Sequence, residues 1–403
     1  MTFIFIDGAT YDITNFINIH PGGSVIKFYS NSDATAAFNE FHYRSTYAKS
    51  VLKSLPTLHN TDTCIEYPEN KQLLKDFYIL KQKLIAKGFF NPSHNHILER
   101  CMEICFLFFI ACFLFYFNFF KCFTLIPCFL FGIAEGRSGW FMHEAGHYSL
   151  TGNIKTDRNI QFMFYGLGCG MSASYWRNQH NKHHASPQKI NHDVDLDTLP
   201  LVAFNKTIAK RVRHPVGKLW IKYQAFLFFP VTTTFVVLFW QFYLHPRFCI
   251  RRKNYKELSI LAIRLGLWYL LSTFYSWNLY KSILIYLIKT VISANYIFIN
   301  FSVSHTHRDI VPENEYRDWV TYAAKHTTNC TPSWLCNWWM SYLNFQIEHH
   351  LFPSLPQFRC PLVAPYVKIL FEKHGLTYDS RDYFQCLYDT FNNLHHVSSS
   401  KLE

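Results

Sequence analysis

The chain has 403 residues, room for two or three domains. Aromatic residues make up 19%, with 40 Phe and 25 Tyr, against 16% charged, so the chain either buries a very large core or lies partly in lipid. A mean hydropathy of −0.03 excludes a protein that is membrane throughout and leaves a few spans carrying a sizeable aqueous part. The net charge of +12 does not point to nucleic acid: Lys210, Arg211 and Arg213, and again Arg251, Arg252 and Lys253, stand beside apolar runs as in cytoplasmic loops. A basic face also suits anionic lipid or a phosphate-bearing substrate.

Residues 1–55 read as a small separate domain. Ile6-Asp7-Gly8 and Tyr11-Asp12-Ile13 predict a strand, a turn and a second strand. His20-Pro21-Gly22-Gly23 follows, then a helical stretch, then Asp33-Ala34-Thr35 and Phe38 leading to His42. This pattern resembles the cytochrome b5 family, a small α+β fold. The resemblance implies a haem b whose iron is held between His20 and His42. With both axial positions filled, such an iron shuttles electrons without binding oxygen.

Residues 56–100 turn polar, with Pro56 and Pro68. Leu73, Leu74, Phe77, Leu80 and Leu84 then space as an amphipathic helix, read as a connector that ends in an interfacial helix. Residues 102–134 are almost wholly apolar, broken by Asn118 and Lys121. That is too long for one span and right for two. The second helix delivers His143-Glu144-Ala145-Gly146-His147, two imidazoles at i, i+4.

The next polar stretch holds Trp176 to Ala185, W-R-N-Q-H-N-K-H-H-A, with His180, His183 and His184 at i, i+3, i+4 and expected on one helical face. Downstream, Gln346-Ile347-Glu348-His349-His350 repeats that spacing with Gln first. A neutral imidazole is a ligand for iron, zinc or copper. Seven His and one Gln exceed what one four-coordinate metal needs, so two metals are expected. Asp193 and Asp195 either orient ligand imidazoles or cap a helix.

Three further apolar runs occupy about 219–244, 257–278 and 282–303. If all three crossed a membrane, the third box would face the opposite side from the first two. The run 219–244, which contains Pro230, is therefore placed in the interface, and the other two form a second hairpin. About four transmembrane helices result, with all boxes and both termini on the cytosolic side. The second hairpin ends near His305, a ninth candidate ligand, and His307, read as an ordinary surface residue. The tail from 391 is Ser-rich and expected to be loose. The 12 Cys form no CxxC pair and no signal peptide opens the chain, so disulfides are not expected.

HEAGH, HNKHH and QIEHH behind an HPGG domain resemble the front-end fatty acyl desaturases, cytochrome b5 fusions of the membrane desaturase family. Longer stretches carry the likeness too, including Asn191 to Pro200 and Asn337 to Pro356, and look most like Δ6 acyl-CoA members. The resemblance implies an all-α polytopic membrane desaturase domain over 101–390 with a cytosolic helical cap, in the endoplasmic reticulum membrane. It implies two non-haem irons held by His143, His147, His180, His183, His184, His305, Gln346, His349 and His350. It further implies O2, electrons from NADH-cytochrome b5 reductase through the haem, and a fatty acyl-CoA or phospholipid acyl substrate. The chemistry agrees, since an unactivated C–H bond yields only to a very strong oxidant.

Within that reading, Δ5, Δ4 or Δ8 sphingolipid desaturation and lipid hydroxylation stay open. Two rivals come from other classes. His143-Glu144-x-x-His147 satisfies the HExxH of zinc metalloproteases, which leaves the other boxes unexplained. A membrane-anchored electron carrier would make the boxes structural.

Overall fold

Phe3–Ile6 (β1) and Ala9–Asp12 (β2) pair antiparallel, Phe3 opposite Asp12 and Ile6 opposite Ala9. Asp7 and Gly8 between them both take positive φ, 48° and 87°, the backbone that a two-residue hairpin loop needs. The computed structural model describes residues 1–58, 70–117, 124–196 and 198–399. Pro68, Asn118, Lys121 and the end from Ser400 to Glu403 lie outside them.

A 3₁₀ turn (Gly23–Tyr29), α1 (Thr35–Phe41) and α2 (Thr46–Ser54) follow, and β3 (Thr57–Leu58) closes the sheet against β2. Ile4, Ile6, Ile13 and Ala34 form the small core. This is the expected α+β domain.

Asn70 accepts the Leu73 N–H and starts α3 (Lys71–Ala86). Its predicted apolar stripe is present, but it does not face an interface. Phe77 stacks on Phe352 at 5.2 Å, and Leu73, Leu80 and Leu84 join Ala36, Trp319 and Val363 in the largest core. Lys81 on the same helix is buried against Glu40 of α1 at 2.7 Å. The connector is a strut between the haem-type domain and the rest, which corrects the interfacial reading.

The first hairpin is α4 (His94–Tyr116) and α5 (Leu125–Gly146). Because Ser93 caps α4, its side chain accepting the His96 N–H, residues 94–100 belong to the bundle and not to the linker. α6 (Ile154–Met163), a π-helical turn (Phe164–Cys169) and α7 (Ala173–Ala185) come next.

The stretch that holds the run 219–244 is broken into pieces: α8 (Lys206–Ala209) and α9 (Pro215–Lys222) lead into it, α10 (Gln224–Leu227) and α11 (Thr233–Phe239) lie within it, and α12 (His245–Arg251) follows, with π-helical turns at Phe228–Thr232 and Trp240–Leu244. Phe229 is extended (φ −101°, ψ 124°), as a residue before proline prefers. α13 (Tyr255–Phe274) and α14 (Leu279–Ser302) form the second hairpin.

α14 lies along α5 at a face of small residues. A Cβ on Gly132 would sit 2.7 Å from Cγ2 of Ile292, and one on Gly136 would sit 2.2 Å from Cδ1 of Tyr296. This is the close backbone approach that membrane helix pairs use. Among the described residues, α13 and α14 alone are long and apolar enough to cross a membrane. α4 and α5 carry Glu103, Glu135 and Arg137 along their length. Glu135 accepts from both Arg264 of α13 and Lys289 of α14, the latter at 2.7 Å, so the bundle's buried charges are paired as the low-dielectric interior requires.

The cap consists of α15 (Trp319–His326), α16 (Trp334–Trp339), α17 (Gln346–Leu351), α18 (Cys360–Lys373) and α19 (Tyr383–Ser399), with β4 (Asn329–Cys330) parallel to β5 (Ser380–Arg381). The expectation of a loose tail from 391 is corrected: α19 continues to Ser399. Leu394 and Val397 are buried, and Asn393 donates to the carbonyls of Phe204 and Thr306.

Candidate metal centre and haem pocket

The last turn of α5 carries His143 and its C-cap His147, α7 carries the second box, and α17 carries the third. Nitrogens of His143, His147, His180, His184 and His349 all lie within 4.8 Å of one another, and so do those of His183, His305 and His350. Two clusters result where one face was expected. Successive helical residues point about 100° apart, so His183 and His184 diverge, and so do His349 and His350. Each of α7 and α17 thus feeds both clusters. Gln346 stands beside His305 of the second cluster. His307 stands apart, 3.3 Å from Thr328 Oγ1.

Within the clusters, imidazole nitrogens face one another. Nε2 of His180 is 3.0 Å from Nε2 of His143 and 3.1 Å from Nε2 of His184, and Nε2 of His350 is 3.2 Å from Nε2 of His305. Nε2 of His147 and of His349 are buried without a hydrogen-bond partner among the described residues. Converging lone pairs with orphaned buried nitrogens fit a pair of cations. Burial holds His180, His184, His349 and His350 well below the ordinary imidazole range and His305 down to about 3. Neutral rings of this kind are ready ligands.

His183 differs. Burial opposes its charged form too, but the carboxylates of Asp193 and Asp195 outweigh burial and raise it to about 9. Its Nδ1 lies 3.1 Å from Asp193 Oδ1, and Asp193 is itself fixed by the N–H groups of Gln188 and Asp195. Asp193 therefore orients an imidazole and also caps the 3₁₀ turn Val194–Leu196, so both expected roles are present.

The other rings are also held from behind. Nδ1 of His305 donates to the carbonyl of His326 at 2.9 Å. The side-chain amide of Gln357 lies 2.8 Å from Nδ1 of His143; with its oxygen turned to the ring it accepts the Nδ1–H and leaves Nε2 for a metal. Glu144 accepts the Gln357 N–H on one oxygen and meets His96 at 3.0 Å with the other. Glu144 thus points away from the cluster and is not placed as the base of a zinc protease. The sequence reading missed His96 and Gln357, which no spacing rule ties to the boxes.

In the small domain the rings of His20 and His42 stand 6.2 Å apart, centroid to centroid, nearly perpendicular at 82°. That gap admits one flat macrocycle with its metal between them. A Cβ on Gly22 would strike His20 at 2.6 Å, so the glycine makes room for the ring. Nδ1 of His20 donates to the Gly23 carbonyl at 3.1 Å, and burial keeps both rings below the ordinary range, His42 at about 4. The residues fit a bis-imidazole haem.

A domain whose pocket fits haem, clamped onto a helical bundle with a His-lined candidate metal centre, defines the class of a membrane-associated oxidoreductase. Comparison with known proteins is specific. The model of the cytochrome b5-like haem/steroid binding domain matches residues 2–81, beyond the expected boundary at 55, and that of the fatty acid desaturases matches 120–382. The chain is 51% identical over 397 residues to an acyl-lipid (8-3)-desaturase of Rebecca salina, covering 98% of this chain and 91% of the relative. It is 42% identical over 408 residues to one of Thraustochytrium sp (98% and 92%), and 27% identical over 408 residues to fatty acid desaturase 3 of Bos taurus (97% and 89%). The chain belongs to the fatty acid desaturase family, with a fused cytochrome b5 domain, and is an oxidoreductase.

Proposed function

We propose that the chain is a front-end desaturase of polyunsaturated fatty acyl chains. In this reading His20 and His42 hold haem b. His143, His147, His180, His184 and His349 hold one iron, and His183, His305, His350 and Gln346 hold the other. The observation that carries it is the pair of imidazole clusters, each with its nitrogens within 4.8 Å of one another, beside a bis-His pocket. When bound, the irons supply the O2-derived oxidant for an unactivated C–H bond, with electrons passed from NADH-cytochrome b5 reductase through the haem.

The chain's own residues do the rest. Asp193, Gln357 and the His326 carbonyl fix the rings of His183, His143 and His305, so that each presents its other nitrogen to the centre. Met142, Tyr165, Val237 and Ala294 pack with Trp176 beside His143. This is the dry side, where the acyl chain lies and water is excluded. The head group, on CoA or phospholipid, meets the basic residues Lys206, Lys210 and Arg211. Four helices, α4, α5, α13 and α14, cross the endoplasmic reticulum membrane, with the boxes cytosolic.

For the position of the new bond, the Δ6 expectation gives way to its Δ5 alternative. Two relatives are called (8-3)-desaturases, and eight less three counts to carbon 5. The test is expression in a host without polyunsaturated lipids, fed C18 and C20 polyenes, with double bonds located in the products. A bond at carbon 5 of a C20 substrate supports the proposal. One at carbon 6 of a C18 substrate restores Δ6, and no new bond from iron-loaded protein rejects desaturation.

A further inference from the structure

The haem domain meets the box-bearing segment at three points, each within two residues of a cluster imidazole or the carboxylate that holds one. Gly23 takes φ 76°, and a Cβ there would lie 2.5 Å from Oδ1 of Asn178, two residues before His180. That oxygen is buried and has no hydrogen-bond partner among the described residues. At the other end of the 3₁₀ turn, Tyr29 donates its hydroxyl to the carbonyl of Ala185 at 3.0 Å, one residue after His184. Between them the ring of Phe28 meets that of His192 edge-on at 4.4 Å, and the next residue, Asp193, holds His183. On the haem side, the Gly23 carbonyl accepts from His20 itself.

The contact is fixed, not incidental. Arg44 donates to the carbonyls of Phe90 and Ser354. Lys81 of the strut helix is locked to Glu40, and Ala36 and Ala37 sit in the main core. A domain that worked by swinging on a tether would not need this much buried anchorage, nor a glycine with its partner pressed where a Cβ would go.

We propose that the Gly23–Tyr29 turn seated on α7 is the electron entry to the metal centre, and that Asn178 is the residue that positions it. The proposal rests on the haem and iron assignments above. In each passage one electron leaves ferrous haem, which becomes ferric, and enters a ferric ion of the non-haem pair, which becomes ferrous. No bond forms or breaks and no proton moves, and a second passage reduces the second ion. The docked state is thus the working state for this transfer, in place of a parked state that must open.

The test uses the full-length, haem- and iron-loaded protein. The haem is photoreduced with a flavin donor without oxygen, and its reoxidation is followed at the Soret band after mixing with oxygen and substrate. One variant, Phe28→Cys with His192→Cys, is oxidised to lock the contact, with the crosslink verified by mass spectrometry. A second, Asn178→Leu, puts bulk and apolarity against Gly23. The locked protein is expected to reoxidise within about twofold of the parent, and Asn178→Leu at least tenfold more slowly with Soret band and iron content unchanged. A locked protein slowed tenfold or more overturns the proposal, because the domain must then leave to react. So does an Asn178→Leu protein at the parental rate. If Asn178→Leu loses haem or iron, the locked form alone decides. A parent lacking the Soret band or the irons would instead reject the assignments on which the proposal stands.

Discussion

Gln357 illustrates how much of this centre lies outside its motifs. It is 214 positions from His143 in sequence, yet its side chain lies 2.8 Å from that ring, and its backbone N–H holds Glu144. Gln357→Ala frees the His143 ring to turn, and loss of such an outer partner typically costs about 10–100-fold in metal affinity. Iron affinity measured by chelator competition should fall accordingly, with Gln357→Glu, which keeps an acceptor, retaining most of it. Unchanged affinity in the Ala variant would remove Gln357 from the centre. The box imidazoles were legible because their spacing is helical and the residue type names the chemistry. His96 and Gln357 were not, because a lone His or Gln far away in sequence has no pattern. The sharing of α7 between clusters was also hidden: i, i+3, i+4 was read as a common side, although the 100° between His183 and His184 already parts them, and the cluster each one enters is set by packing, with His183 held by Asp193.

At the level of elements, α5 makes two contributions: it ends in the first box, and its glycine face lets α14 come close. Gly136→Leu must move Tyr296, whose hydroxyl donates to the Trp339 carbonyl at 2.6 Å. Overpacking of this kind costs about 1–3 kcal/mol, so thermal unfolding in detergent should shift down by several degrees, with Gly136→Ala milder. An unshifted transition would mean that the two helices are not in tight contact there. Both hairpins could be read from apolar runs, whose lengths suit helix pairs. α19 could not, since its Ser-rich end conceals two buried residues, Leu394 and Val397. The strut helix α3 was found but its partner was misjudged, because periodicity shows that a face is covered and not what covers it.

For the whole molecule, the proposed topology follows from parity between boxes. Glycosylation acceptors placed at the exposed positions Lys53, Lys210, Lys253 and Glu313 should all stay unmodified in the endoplasmic reticulum. Modification at Lys253 alone would show that the broken run 219–244 crosses after all. The two-domain plan was legible from HPGG and the boxes. The docking of one domain on the other was not, because Gly23, Phe28 and Tyr29 find partners only in the folded chain.

The metal centre also has a history in time. The imidazoles proposed as its ligands run from His143 to His350, 207 positions apart, a stretch that at about 5–20 residues per second takes roughly 10–40 s to synthesise. During that interval His143, His147, His180 and His184 are already made while His349 and His350 are not. A nascent half-site of four imidazoles binds copper or zinc more tightly than ferrous iron by the ordinary stability order. Ribosomes that pause before the third box should therefore lengthen exposure to the wrong ion. Cells grown with little iron and ample zinc are expected to yield full-length protein with zinc in the first cluster. Elemental analysis of protein made with synonymous slow codons before Gln346 measures the effect: zinc per chain should rise with the delay. A zinc content independent of codon speed would show that metal enters only after the chain is complete.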